Sequence, residues 1–309
     1  MKSIIVGIDI GGSKTKIAYY DTKELHTFFR EPTPQDPDEF VHMVTDGINQ
    51  ARLPGPIRGI GIGCPGPLNQ ETGAVLSPPN LRRWDRFPLA DRLTDHFHIP
   101  VFLENDGNAG ALGEALFGSG RNHSRVFYMT LSTGLGTGLV LDRKIYRGAH
   151  GLAGEIWAFD QGLFPVADRQ VIIDDMGSGN GMIKEALHHI QAGEKTEVPP
   201  DVADSRIILE ASERGDPVAE KVVRHAREVI AATICMALYL LDPDIIVLGG
   251  GLCTKPHRIL DPVLEIVNKK LRIEELKNTP IVRAKLWEDV VLYGAVGLVM
   301  ESSACKQYG

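Results

Sequence analysis

Residues able to do chemistry gather in short glycine-bearing loops, each following a strand-like run. Asp9 closes the apolar run 3–8, and Gly11, Gly12, Ser13 and Lys14 lead into a second run, 16–20. Backbone N–H groups freed by glycine can point at a phosphate. Ser13 adds a hydroxyl donor, and Lys14 or Lys16 a positive charge. Asp9 is placed to hold Mg²⁺, through water because that ion keeps much of its hydration shell. The same residues also fit an ordinary β-hairpin turn. A second loop, 132–138, repeats the design with hydroxyls around Thr133 and Gly134. Two such hairpins from two halves of a chain suit a nucleotide gripped between lobes. Gly249, Gly250 and Gly251 end a further apolar run, where missing side chains would let a flat adenine approach; a plain strand-to-helix turn needs the same residues.

Between the first two loops stands an acidic turn, Glu104, Asn105, Asp106, Gly107, Asn108. A strand enters it and a helix leaves it. Ligands of α/β sheets collect at the carboxyl ends of strands. A carboxylate there could take the proton of an attacking hydroxyl, and Asp106 is the candidate; it could equally be a helix cap. Two nucleotide motifs are excluded. Gly61, Gly63 and Gly66 match the dinucleotide fingerprint in letters, but Pro65 and Pro67 interrupt the helix that it needs. No GxxxxGK[ST] is present.

These loops need strands and helices to hold them. The pattern predicts helices over 38–52, capped by Asp36 or Asp38, and over 89–97, 109–117, 177–191, 217–241, 258–271 and 291–300. Strands are expected over 57–62, 101–103, 125–131, 139–142, 244–248 and 281–286. Asp216 with Pro217 is a strong helix start. Alternating strands and helices imply an α/β fold with partly parallel sheets. An offset of 121 places Asp21 beside Asp142, with strand, glycine turn and strand before each. That is a weak internal repeat.

Composition narrows the class. The chain has 309 residues, enough for about two domains. It is 43% hydrophobic and 24% charged, with net charge −7, so no nucleic-acid partner is expected. The N-terminal apolar run is too short for a signal peptide, and no stretch reaches the ~20 residues of a membrane span. The four cysteines (64, 235, 253, 305) form no CxxC, which fits a reduced, cytoplasmic compartment better than a disulfide framework.

Taken in order, DIGGSK, GIGCPGP, NLRRW, ENDGNAGALGE, STGLGTG, GLAGE and LGGG resemble the ROK family of sugar kinases and related repressors, over nearly the whole chain. The resemblance implies an α/β actin-like ATPase (ribonuclease H-like) fold of two lobes with a cleft between them. Residues 1–118 plus 291–309 would form one lobe and 119–290 the other. It implies ATP and Mg²⁺ as cofactors, a hexose, amino sugar or related sugar as substrate, and a homo-oligomer, most simply a dimer. By position, Gly11, Gly12, Ser13, Lys14, Thr133, Gly134, Gly249 and Gly250 would bind ATP. Gly66, Asn80, Asn105, Asp106 and Glu155 would line the sugar, with Asp106 as catalytic base. The family's repressors carry an added helix-turn-helix, for which the start of this chain leaves no room.

Three departures stand out. Ala158 replaces the histidine of the family's GEIGH run. The cysteine-rich zinc segment is replaced by 171–179, without a cysteine, so no structural zinc is expected. Asp174 takes the place of a sugar-contacting glutamate. Trp157 would either stack on the sugar or pack into the space the zinc segment leaves, and His150 offers a replacement hydrogen bond. The leading expectation is a sugar kinase. A sugar-sensing regulator is the alternative, and Ala158 and Asp174 favour it. A carboxylate kinase or activating ATPase of the same fold is disfavoured by Asn80, Asn105 and Glu155, which suit sugar hydroxyls.

Overall fold

A computed structural model describes residues 2–78, 80–160 and 172–302. Pro79, Val171 and Cys305, and the end of the expected first lobe, lie outside them. In chain order the elements begin with β1 (Ile4–Ile10), β2 (Lys14–Tyr20), β3 (Leu25–Pro32), α1 (Pro37–Gln50), β4 (Ile57–Cys64), β5 (Leu68–Asn69) and β6 (Ala74–Val75). Then come α2 (Leu89–Phe97), β7 (Val101–Asn105), α3 (Asp106–Leu116), β8 (Arg125–Leu131), β9 (Leu135–Leu141) and β10 (Lys144–Ile145). The rest are α4 (Asp174–Gly177), α5 (Gly179–Gln191), α6 (Ser205–Glu213), α7 (Pro217–Leu241), β11 (Ile245–Gly249), α8 (Leu260–Lys270), β12 (Ile281–Arg283) and α9 (Val290–Glu301).

Two compact units emerge: 1–124 with 138–153 and 284–309, and 125–137 with 154–283. The expected division gave 138–153 to the second lobe. The structure places it in the first, because Gly138 seats on α3: a Cβ there would lie 2.7 Å from the Gly107 carbonyl oxygen.

Sheet order is β3-β2-β1-β4-β7 in one five-stranded sheet and β10-β9-β8-β11-β12 in the other. In the first, β1 pairs antiparallel with β2 and parallel with β4, which pairs parallel with β7. β4 is buried from Gly59 to Cys64, so both faces are covered. The glycines on β1 and β4 serve packing. A Cβ on Gly61 would lie 1.8 Å from the Ala295 carbonyl oxygen, and one on Gly7 2.9 Å from that of Leu292. α9 thus lies flush on the sheet. Gly294 in turn lets α9 reach the backbone of α3, where a Cβ would stand 1.8 Å from the Ala109 carbonyl oxygen. This accounts physically for the GxGxxG letters.

Caps behave as the residue types require. Asp36 accepts the amides of Asp38 and Glu39 at 3.0 and 3.2 Å with Pro37 in the first turn. Asp216 accepts the Ala219 amide at 2.8 Å, and α7 ends at Asp242 in the left-handed region, with Pro243 unable to continue it. The core of the second unit gathers around α7, with β8, β11, α5, α6 and α8 contributing. β3 and α6 escaped the sequence reading: β3 is a half-exposed edge strand, and α6 lies in a polar stretch started by the Asp204 cap.

Candidate active site

In the first unit the strand register builds the site. Asp9 stands opposite Lys16 on β2 and Gly63 on β4, and Gly63 stands opposite Glu104 on β7. One row therefore carries Lys16, Asp9, Gly63 and Glu104 across the carboxyl ends of three parallel strands and the returning β2. Cys64 and Asn105 pair one step on.

The β1–β2 turn closes when Gly11 N–H donates to the Lys14 carbonyl at 2.8 Å. That amide is spent inside the turn, and Gly12 and Ser13 form its tip. Thr33, just past β3, braces the turn from the side. Its Oγ1 donates to the Gly11 carbonyl at 2.7 Å and its N–H to that of Ser13 at 3.1 Å. Gly12 is held small by Asn80, whose Cβ would lie 2.7 Å from an added one. The β1–β2 turn and Asn80 are thus neighbours. In the same way Gly66 faces the Asn105 amide, with 3.1 Å between an added Cβ and Nδ2.

Asn105 is the N-cap of α3, its Oδ1 accepting the Gly107 N–H at 2.8 Å. Asp106 is the first helical residue, not the cap, and its Oδ1 accepts the same N–H at 2.8 Å. The turn therefore fixes both side chains at the carboxyl end of β7. Asp106 also lies close enough to Asp9 to act on it electrostatically. Burial first, then the charges of Asp106 and Asp289, push the Asp9 carboxyl up to about 7, against the opposing pull of Lys16. Lys16 is held by the Glu288 carbonyl at 2.7 Å and by Asp289 at 3.6 Å. The sequence names Glu104 within the acidic turn but gives it no role, and it does not bring Asp289 here; a single acid at a helix start gives no periodic signal.

Crowded carboxylates fit a divalent cation, which relieves their mutual repulsion. Among the described residues no group of three or more His, Cys, Asp or Glu is arranged to hold a metal ion.

In the second unit the β8–β9 turn, with Thr133 and Gly134 exposed, is braced by a helix end. Gly179 and Asn180 donate their amides to the carbonyls of Ser132 and Thr133 at 2.8 and 3.0 Å. Asp174 Oδ1 accepts the Leu135 N–H at 2.8 Å, which ties it to the β8–β9 turn, a contact that the sequence did not suggest. Burial raises its carboxyl above the ordinary range, with the Leu135 and Ser178 hydrogen bonds opposing.

At the third glycine cluster the structure assigns separate reasons. A Cβ on Gly249 would collide with the Tyr128 hydroxyl at 2.5 Å. Gly250 has φ +88° and sits on the Leu131 backbone. Only Gly251 has open space at its Cβ position, so it offers a ligand the bare surface expected of all three.

Trp157 is 41% exposed, and its indole N–H donates to the Glu155 carboxylate. Thr137 Oγ1 donates to the Gly154 carbonyl next door. His150 and Ala158 are exposed. None of the described helices is long and apolar enough to cross a membrane.

Known proteins resemble this chain over nearly its whole length. A family model described as the ROK family matches residues 5–302. A glucokinase of Streptomyces coelicolor is 30% identical, over 96% of this chain and 98% of its own. A xylose repressor of Caldicellulosiruptor bescii is 26% identical, over 96% of this chain and 78% of its own. The crystal structure of a ROK family glucokinase from Streptomyces griseus, in complex with glucose and AMPPNP, superposes with a TM-score of 0.79 at 27% identity, covering 97% of this chain and all of that one. The α/β fold is that of the two-lobed actin-like ATPases, as the sequence implied.

Proposed function

The chain belongs to the ROK family, and from that membership we propose that it is a sugar kinase in which Asp106 is the general base for phosphoryl transfer from ATP to a hydroxyl of a hexose, amino sugar or related sugar. Asp106 accepts the proton of the attacking hydroxyl. The sugar oxygen bonds to the γ-phosphorus as the bond to the bridging oxygen of ADP breaks. The observation that supports this reading is the placement of Asp9 at the carboxyl end of β1 and of Asp106 just past that of β7, two strands away in one sheet, with Asn105 capping the helix between them.

Binding roles follow the chain's own geometry. Gly12, Ser13 and Lys14 at one turn, and Thr133 and Gly134 at the other, hold phosphate oxygens. Asp9 would hold Mg²⁺ through water, and that ion would supply neutralisation of charge on the transferring phosphoryl group. Gly249 and Gly250 shape the adenosine turn, and Gly251 gives it an open face. Asn80, Gly66, Asn105, Glu155 and Asp174 line the sugar. Trp157, exposed beside Glu155, stacks on the apolar face of the ring in place of the histidine that Ala158 lacks.

Coupled ADP release measured over a panel of hexoses, amino sugars and polyols tests the proposal. Turnover with at least one sugar, abolished in Asp106→Asn, is the expected result. Sugar binding by calorimetry without ADP release would make the chain a sugar-responsive regulator instead, the reading that likeness to a repressor favours.

A further inference from the structure

Glu104 immediately precedes Asn105 and Asp106, and its side chain has no solvent exposure. A buried carboxylate is costly unless its oxygens are well filled, and here they are. Oε2 accepts the Arg147 Nε–H at 2.7 Å. Oε1 accepts three donors: the Asn105 N–H at 3.0 Å, the Asn108 side-chain amide at 3.1 Å and the Gln70 side-chain amide at 3.3 Å. The first two lie on either side of Asp106 in sequence. The acid therefore grips both shoulders of the turn that presents the base.

Its other two partners reach a second loop. Arg147 accepts the Ala153 N–H on its own carbonyl at 3.0 Å, closing the loop 147–153, and its guanidinium also approaches Glu301 at 3.7 Å. Within that loop Gly148 and Gly151 adopt φ of +72° and +71°. A Cβ on Gly151 would lie 2.9 Å from the Gln70 side-chain oxygen. The contacts thus form a ring: Glu104 to Arg147, along the loop to Gly151, onto Gln70, and back to Glu104. In sequence the loop runs on to Glu155.

We infer that Glu104, with Arg147, is the positioning element of this site. Its ion pair sets the Asn105–Asp106 turn and ties it to the loop that leads to the sugar-side Glu155. Neither residue handles the phosphoryl group. This rests on the sugar-kinase reading above, and it predicts that disrupting the pair damages sugar binding and turnover while nucleotide binding stays intact. Glutamine at 104 keeps the shape but loses the charge, and it turns an amide toward a guanidinium. A shift of about 1 Å in a reacting group costs on the order of 10²-fold in rate.

The experiment measures, on the full chain, sugar and nucleotide affinities by calorimetry and kcat for wild type, Glu104→Gln, Arg147→Met and Arg147→Lys. Expected is a loss of ten- to a hundred-fold in sugar affinity or kcat for the first two, with nucleotide affinity within about twofold of wild type and Arg147→Lys recovering part of the loss. If Glu104→Gln does not fold, Arg147→Met, altered at a partly exposed side chain, carries the same test. Wild-type sugar affinity and kcat in folded Glu104→Gln or Arg147→Met would overturn the inference, as would an equal loss of nucleotide and sugar affinity. A wild-type protein that binds no sugar would sink the functional reading instead, and the binding split separates the two failures.

Discussion

The two glycine turns occupy equivalent places in two sheets of like order, yet they are braced by different means. β1–β2 and β8–β9 each flank a turn, each is followed by a third strand at the outer edge, and each has two further strands on its inner side. In the first unit the third strand is eight residues long and delivers Thr33 to the turn. In the second sheet it is two residues, Lys144 and Ile145, too short to reach back. There α4 and the start of α5 do the work, through Asp174, Gly179 and Asn180. The weak sequence echo at Asp21 and Asp142 thus marks a shared topology, and the bracing has diverged around it. Topology sets where a loop can be; local hydrogen bonds set how rigidly it is held.

The largest expected effect breaks the symmetry between the units. Asp106 belongs to the first and has no acidic counterpart in the second among the residues assigned to catalysis. Asp106→Asn should lower kcat by about 10²–10⁴-fold, the usual worth of base assistance, and leave sugar affinity largely intact. Steady-state kinetics with calorimetry checks this. A variant with a near-normal rate would remove Asp106 from its role.

Glycines of the two units sharpen the contrast between packing and function. Gly61→Ala must displace the Ala295 carbonyl, 1.8 Å from the new Cβ. Overpacking of this kind costs about 3 kcal/mol or more, so a marked fall in unfolding midpoint is expected. Gly134→Ala meets only Asp174 Oδ1 at an ordinary 3.6 Å. It should unfold like wild type, and any damage should show in nucleotide KM. Chemical denaturation of the two variants side by side decides.

These pairs also explain what the sequence could reveal. Strong caps and unbroken apolar runs, such as Asp216 with Pro217 or the buried β4, were legible because local chemistry alone determines them. The strand end at Asp9 and the Asn105–Asp106 turn were legible from residue type at a strand's carboxyl end. Glu104 was legible as a member of that turn but not as its anchor, since nothing local links it to Arg147, forty-three positions away. Asp174 was assigned by position to sugar, and its bond to the Leu135 amide depends on a fold-level approach of α4 to β9. The glycines at 61 and 63 resembled a nucleotide motif because the demand for close backbone approach is the same whether a helix or a phosphate arrives.

Removing each brace tests whether the turns are equally dependent on them. Asp174→Ala deletes the acceptor for Leu135 N–H, a charge-assisted bond worth about 1.5–3 kcal/mol. Nucleotide KM should rise roughly ten-fold or more, and Asp174→Asn, which keeps an acceptor oxygen, should recover most of it. Thr33→Val removes two neutral hydroxyl bonds, to the Gly11 carbonyl and to the buried Thr15 hydroxyl; the first, of about 1 kcal/mol, braces the turn, so a rise of about five-fold is expected. If Asp174→Ala shifts the sugar KM alone, its place is at the sugar and the second turn is held by Gly179 and Asn180.

The smallest effect concerns the charge at Asp9. Its folded carboxyl titrates at about 7, above the ordinary 3.8 of an unfolded aspartate. Between those values the folded chain holds a proton that the unfolded chain has lost. Unfolding stability from this group is therefore fully present below about 3.8 and declines as pH rises toward 7. Without nucleotide or Mg²⁺, the unfolding midpoint of wild type should fall more steeply over this window than that of Asp9→Asn, in which the position stays neutral. Protonation removes the charge that draws the hydrated cation, so the apparent affinity for Mg²⁺-nucleotide should rise as pH passes through neutrality, and Asp9→Asn should flatten that rise. Asp174, raised by burial but tied to the Leu135 amide, has no such cation to exchange for its proton. Its neutral variant Asp174→Asn should leave the pH dependence of cation binding as in wild type, which places the metal-linked charge in the first unit; equal flattening by both variants would show that the two turns share it.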